Sequence, residues 1–344
     1  MKFTIRALAA MTATGLTLTA CGTSSAAASQ KPKHKASLSS YSVKSTWSSV
    51  GPTPHFSAVD SKLHKVFVSN LAAGTLTVLN SKTGSKITSI KIGGVLHTVM
   101  VNPKTNRVYV TDIQGGYLDV VNAKTDSVIT RIKVGAHLHG LALAPSLHQA
   151  YVTDISTNKV YIVNTKTNAV VTPSGITVGY NPWGVAANPK AHEIYVANTG
   201  MNLFPKSVNA AGDNVSVVNV KTMKVVKTIT VGPHPWNLLF DSKNNNLYVG
   251  VSGANKIAVI NSNKVIGTIS VGKSPHGLAL DKKENALFVN NSSSNTVSII
   301  NTTNSSVVKT VPVGTQPQGI SVNQKNGFAY AVNQASQSVS VLAP

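Results

Sequence analysis

Residues 140–179 read GLALAPSLHQAYVTDISTNKVYIVNTKTNAVVTPSGITVG. Four short runs rich in apolar residues lie in this stretch: Gly140-Leu141-Ala142-Leu143, Gln149–Asp154, Lys159–Asn164 and a last run ending at Val178-Gly179. Pro145, the loop after Asp154 and the turn Thr165-Lys166-Thr167-Asn168 separate them. Runs of this length, bounded by such turn residues, predict four β-strands in series. A lone four-stranded unit cannot bury both of its faces, so it predicts neighbours of the same kind.

The neighbours are in the sequence. Tyr151-Val152-Thr153-Asp154 has counterparts in Phe67-Val68-Ser69-Asn70, Tyr109-Val110-Thr111-Asp112 and Tyr195-Val196-Ala197-Asn198. Further counterparts are Tyr248-Val249, Phe288-Val289-Asn290-Asn291 and Tyr330-Ala331-Val332-Asn333. Aromatic to aromatic, the steps are 42, 42, 44, 53, 40 and 42 residues. Asn80, Asn122, Asn164, Asn219, Asn261 and Asn301 end a second recurring run. Four strands per unit of this length is one propeller blade. The seventh unit stops after its third strand at Pro344, while residues 44–51 (KSTWSSVG) resemble the fourth strand of the other units. The predicted fold is therefore all-β, a seven-bladed β-propeller of four-stranded blades in which an N-terminal strand completes the last blade. Such closure also hides strand edges.

The chain resembles the YVTN (YncE-like) family of seven-bladed β-propellers, on Tyr109-Val110-Thr111 and Tyr151-Val152-Thr153 and over roughly residues 44–344. The resemblance implies the fold. It leaves function open, because relatives occur among exported bacterial proteins and archaeal surface-layer proteins, and the fold also hosts lactonases and redox proteins.

Ahead of the repeats, Lys2 and Arg6 precede an apolar stretch, residues 7–20, too short to span a bilayer as a mature helix. It ends in Leu18-Thr19-Ala20-Cys21, which resembles a bacterial lipobox, with the chain's single cysteine at the modified position. The expectation is a lipoprotein signal peptide over 1–20, acylation of Cys21, a Ser/Ala/Lys-rich tether over 21–43 and the propeller over 44–344. The protein is then exported and anchored by lipid outside the cytoplasm. One cysteine excludes a disulfide scaffold and a Cys-rich metal centre. The net charge of +21 comes from 31 Lys and Arg against 10 Asp and Glu. The bases are spread lysines without interleaved aromatics, and the chain is exported, so nucleic acid is not the expected partner.

In a propeller the first strand of each blade lines the axis, and two kinds of turn lie at each end. The first-to-second turns carry Lys62, Lys104, Lys190, Lys243, Lys283 and Lys325; the third-to-fourth turns carry Lys82, Lys124, Lys166 and Lys221. This end, the bottom, is expected either to be solubilised by lysine or to face anionic headgroups or wall polymer. At the top, the fourth residue after each strand-ending glycine is His55, His97, His139, Trp183, Trp236, His276 and Gln318. Proline precedes five of these, which fixes the approach to the first strand. The seven are expected to form a ring at the channel mouth, with Asp112 and Asp154 directed to the same face. Blade four carries an insertion, 199–213, whose Phe204 is expected beside Trp183 and Trp236.

Three functions compete. The ring, with Phe204, Asp112 and Asp154, is expected to bind a glycan, a peptide or a surface protein without catalysis and without a cofactor. Alternatively His55, His97 and His139 hold copper or zinc. A lactonase-like hydrolase is the third possibility. Against it stand the scarcity of top-face acids, the absence of arginine from the top loops and the absence of Gly-x-Ser-x-Gly or His-Glu-x-x-His motifs.

Overall fold

A computed structural model of the chain describes residues 37–48, 50–201 and 212–344. The expected signal peptide, Cys21, most of the tether and Phe204 lie outside these residues.

The chain forms seven sheets of antiparallel strands in a ring, and in six of them the strands lie in sequence order from the axis outward, the seventh being completed by the N-terminal strand. Blade one runs Pro54–Asp60, Lys65–Asn70, Thr75–Asn80 and Lys86–Lys91. The inner strands of blades two to seven are Leu96–Asn102, Leu138–Ala144, Pro182–Asn188, Pro235–Asp241, Pro275–Asp281 and Pro317–Val322. Blade seven adds Ala329–Asn333 and Ser338–Ala343, and Ser42–Trp47 pairs antiparallel with the latter as its outer strand. The closing strand thus begins two residues before Lys44, and Tyr41 ahead of it is buried, its hydroxyl donating to the Gly327 carbonyl.

The repeated pattern of an aromatic residue between two aliphatic ones has a direct structural reason. A blade is covered on both faces, so successive residues of its second strand are buried against different neighbours. Val66 and Val68 pack in the interface with blade seven, and Phe67 packs in the interface with blade two. The core is accordingly split into slabs between adjacent blades. The slab that closes the circle holds Trp47, Val50, Tyr330 and Val339 of the terminal pieces against Val66 and Leu79. Trp47 lies 5.4 Å from Tyr330, centroid to centroid, and covers Gly84, where an added Cβ would sit 2.3 Å from the indole.

Blade three departs from the plain pattern. Its outer strand is broken into Ala169–Val170 and Ile176–Thr177. Pro173 has no N–H to offer a ladder, and the Thr172 hydroxyl accepts the Ile162 N–H at 2.9 Å in place of a backbone carbonyl.

Candidate functional site: an aromatic plug at the top of the axis

In all seven blades the pairing of first and second strands shifts register at the same place, between Pro54 and Ser57 in blade one and between Leu138 and Leu141 in blade three. The ring residue lies in that bulge. A bulge bends its strand and re-aims the side chain it carries. Here it turns the four histidines and two tryptophans onto the axis. The loop ahead of each bulge is pinned by the carbonyl two residues before the ring position, as in Leu71 N–H to Thr53 and Ser252 N–H to His234.

The bulge leaves the N–H of the next residue outside the ladder. In blades one to three the third residue of the aromatic-Val-x-Asn/Asp motif accepts it: Phe56 N to Ser69 Oγ (3.1 Å), Thr98 N to Thr111 Oγ1 (3.0 Å), Gly140 N to Thr153 Oγ1 (2.8 Å). The same hydroxyls donate onward to the ring carbonyl of the next blade, His97, His139 and Trp183, at 2.5, 2.9 and 2.7 Å. One hydroxyl therefore clasps two blades. Asn290 makes the equivalent link from blade six to the Gln318 carbonyl. Blades four, five and seven have Ala197, Gly250 and Val332 there.

The sequence-predicted ring is brought together. Centroid separations run 4.4 Å for His55–His97, 3.7 Å for His97–His139 and 4.5 Å for His139–Trp183. They continue at 5.2 Å for the stacked Trp183–Trp236 pair, 4.8 Å for Trp236–His276 and 5.8 Å for His276–His55. Gln318 turns aside to Ser292 Oγ, so His276 meets His55 past it. The ring is a plug rather than an open mouth: the four histidines and Gln318 are all buried, and the two tryptophans are partly exposed. Phe56 packs beneath it, 5.1 Å from His97 and 5.7 Å from His276. Below the plug the axis holds a cavity of about 220 Å³, lined by residues including Phe56, Met100, Leu143, Leu239, Phe240 and Leu278.

The imidazoles are neutral. Burial lowers the pKa of each, the other histidines lower it further at His55, His97 and His139, and His139 and His276 are brought to about 3 and about 4. The hydrogen bonds specify tautomers. Gln334 Nε2 donates to His55 Nδ1 at 3.1 Å, which places the His55 proton on Nε2, facing His97 Nε2 at 2.9 Å. His97 then keeps its proton on Nδ1, 3.0 Å from Thr98 Oγ1. Trp183 Nε1 donates to Asn181 Oδ1 at 2.8 Å, whereas Trp236 Nε1 and His276 Nδ1 are buried without a partner. Among the described residues no group of three or more His, Cys, Asp or Glu is arranged to hold a metal ion.

Asp112 and Asp154 sit outside the plug and serve the loops. Asp112 Oδ1 accepts the Val95 and Gly115 N–H groups, and Oδ2 meets Arg131 at 3.0 Å. Asp154 accepts the N–H groups of Ala136, His137, Ser156 and Thr157 and the Ser156 hydroxyl. Burial raises its pKa, but those donors outweigh it and hold the carboxyl below its usual range. At the insertion, Gly200 and Gly212 touch closely enough that a Cβ on Gly212 would lie 2.1 Å from Gly200 Cα. His234 secures both sides of this pinch, its N–H donating to Asp213 Oδ1 and its Nδ1 donating to the Thr199 carbonyl. Phe56 and Gln334 were not singled out in the sequence. For Phe56 the signal was present: its column in the repeats holds glycine in blades three, four, six and seven.

No protein-family model matches the chain. No curated protein matches it either. Among solved structures, a chain of Kuenenia stuttgartiensis hydrazine synthase is similar to it, with a TM-score of 0.68 and 18% identity over 85% of this chain and 96% of that one. At that identity the likeness concerns the propeller fold alone.

Proposed function

We propose that this chain is an exported member of the YVTN (YncE-like) propellers, anchored through acylated Cys21 and acting as a non-catalytic binding module. Its ligand, a glycan, peptide or surface protein, is held at the top around Trp183 and Trp236. One observation carries the reading. On this arc of the rim two indoles stack while partly exposed, and two neighbouring buried polar atoms, Trp236 Nε1 and His276 Nδ1, have no partner. Buried polar atoms are rarely left so, and indole faces suit sugar or side-chain stacking. The acids that hydrolysis would draw on, Asp112 and Asp154, have their oxygens engaged by backbone N–H groups and, at Asp112 Oδ2, by Arg131, which supports binding over catalysis. The test is a glycan and peptide array probed with the mature chain. Binding lost by at least tenfold in Trp236→Ala and Trp183→Ala supports the reading; binding unchanged in both sinks it.

A copper or zinc site at His55, His97 and His139 is the second reading, supported by three adjoining neutral imidazoles. It requires the His55–His97 hydrogen bond to be given up. Metal analysis of untagged protein decides it, with one equivalent bound in the parent and none in His97→Gln expected if it holds.

A further inference from the structure

The bottom of the propeller differs from the top in how its charges are fixed. Nine of the ten turn lysines follow an Asp or Asn whose side chain accepts the lysine's own backbone N–H, as in Lys62 to Asp60, Lys243 to Asp241 and Lys82 to Asn80, each at 2.9 Å. This Asx turn holds the backbone and directs the ammonium outward. All ten lysines are exposed. The six acids at this end are engaged. Asp60, Asp241 and Asp281 are buried in the turns they cap, Asp126 pairs with Lys65 at 2.8 Å, Glu284 lies 3.6 Å from Lys283, and Glu193 accepts from the Tyr195 hydroxyl. The result is a field of lysines of one sign over one end of the ring.

The chain also arrives at this end. Outer strands run from bottom to top, so Ser42–Trp47 starts at the bottom, where Ser42 pairs with Ala343. Tyr41 bonds to Gly327 in a first-to-second turn, and Lys309 Nζ holds the Ser39 carbonyl at 2.7 Å.

From these two facts we infer that the lysine-bearing end of the propeller lies against the anionic headgroups of the membrane, and the aromatic plug points away from it. The inference rests on the lipid anchor at Cys21. The anchor supplies proximity, and the turn lysines supply orientation and most of the electrostatic attraction, which acts within a Debye length of about 8 Å.

The experiment uses the full mature chain as Cys21→Ser, which removes the acyl group, with vesicles of 30 mol% phosphatidylglycerol in phosphatidylcholine. Sedimentation at low salt should pull the chain down with these vesicles and leave it in solution with pure phosphatidylcholine or at 0.5 M salt. Lys→Gln at Lys62, Lys104, Lys190, Lys243, Lys283 and Lys325 together should weaken partitioning at least tenfold. The same change at the opposite end, Lys91, Lys133, Lys159, Lys256 and Lys273, should weaken it less than threefold. Unchanged melting temperatures confirm both variants as folded. In the acylated chain on the same vesicles, lysine acetylation read by mass spectrometry should fall at the first set and not at the second. Equal effects of the two variants, no binding to anionic vesicles, or binding to soluble poly(glycerol phosphate) without binding to vesicles each overturn the inference. A failed anchor shows separately, as an N-terminal peptide whose Cys21 carries no acyl mass.

Discussion

Acid should unfold this propeller through its plug. An unfolded histidine titrates near 6.5, whereas His139 and His276 in the ring titrate at about 3 and about 4, and His55 and His97 are also held well below the usual value. All four are lowered, so the stability they permit is complete above about pH 6.5 and is lost as pH falls through the window down to 3–4. At pH 5 each site that stays neutral while its unfolded counterpart is protonated costs about 2 kcal/mol. His139 and His276 alone give about 4 kcal/mol, and His55 and His97 act in the same direction, so the plug puts a large share of the stability of a typical domain at risk. Asp119 works in the opposite direction. Burial raises its pKa to about 6 despite the Arg131 ion pair, so it stabilises at low pH and loses that contribution as pH rises from 3.8 through 6. Between pH 7 and 5 it returns about 1 kcal/mol. The net expectation is a fall in melting temperature of at least about 5 °C between pH 7 and 5. Near-UV circular dichroism would follow it, because the stacked Trp183–Trp236 pair lies in the ring. His276→Gln should remove about 2 kcal/mol of the loss at pH 5 and so make the slope shallower. A melting temperature that is flat or rises on acidification to pH 5, or a slope untouched by His276→Gln, would refute the reasoning.

Three further outcomes are expected. Thr153→Val removes a hydroxyl that satisfies both Gly140 N–H and the Trp183 carbonyl and should cost about 1–3 kcal/mol in urea unfolding, whereas Ala197→Thr, in an unclasped blade, should not destabilise comparably. Arg131→Met leaves Asp119 and Asp112 buried without their cation and should cost about 3–5 kcal/mol; Asp119→Asn in the same background should recover part of that loss. Trp47→Ala opens the seam between the chain's two ends, with an expected loss of about 3–5 kcal/mol and earlier proteolysis near residue 47 than elsewhere.

The blade count and its closure were legible because a repeat reports its fold many times over, and Pro344 ending one strand short has a spare strand at Trp47 to answer it. The membership of the ring was legible for a similar reason, since proline and glycine index the same position in most blades. What the ring does with its space was not. The bulge that turns His55 and its equivalents onto the axis is a matter of register, and no residue type announces it. The sequence also directed Asp112 and Asp154 to the top without revealing that their oxygens would be taken by the N–H groups of the loops around them. The broken outer strand of blade three depends on Pro173 and Thr172 acting together, which a strand pattern passes over.

The hydroxyl links joining successive blades are unevenly shared. Ser69, Thr111 and Thr153 stitch blades one to four into a continuous arc, while Ala197 and Gly250 leave the junctions on either side of blade five without stitches. Val332 leaves the junction of blades seven and one without this stitch as well, but there Ser57 Oγ donates to the Tyr330 carbonyl at 3.2 Å and Trp47 and Val50 fill the slab. Trp236 and His276, the two ring members with unpartnered nitrogens, are those whose carbonyls lie at the two junctions without such a substitute. Breathing of the toroid is thereby concentrated in one sector. Amide exchange there should run ahead of the stitched arc, making the sector beside the insertion the hinge side of an otherwise stiff wheel.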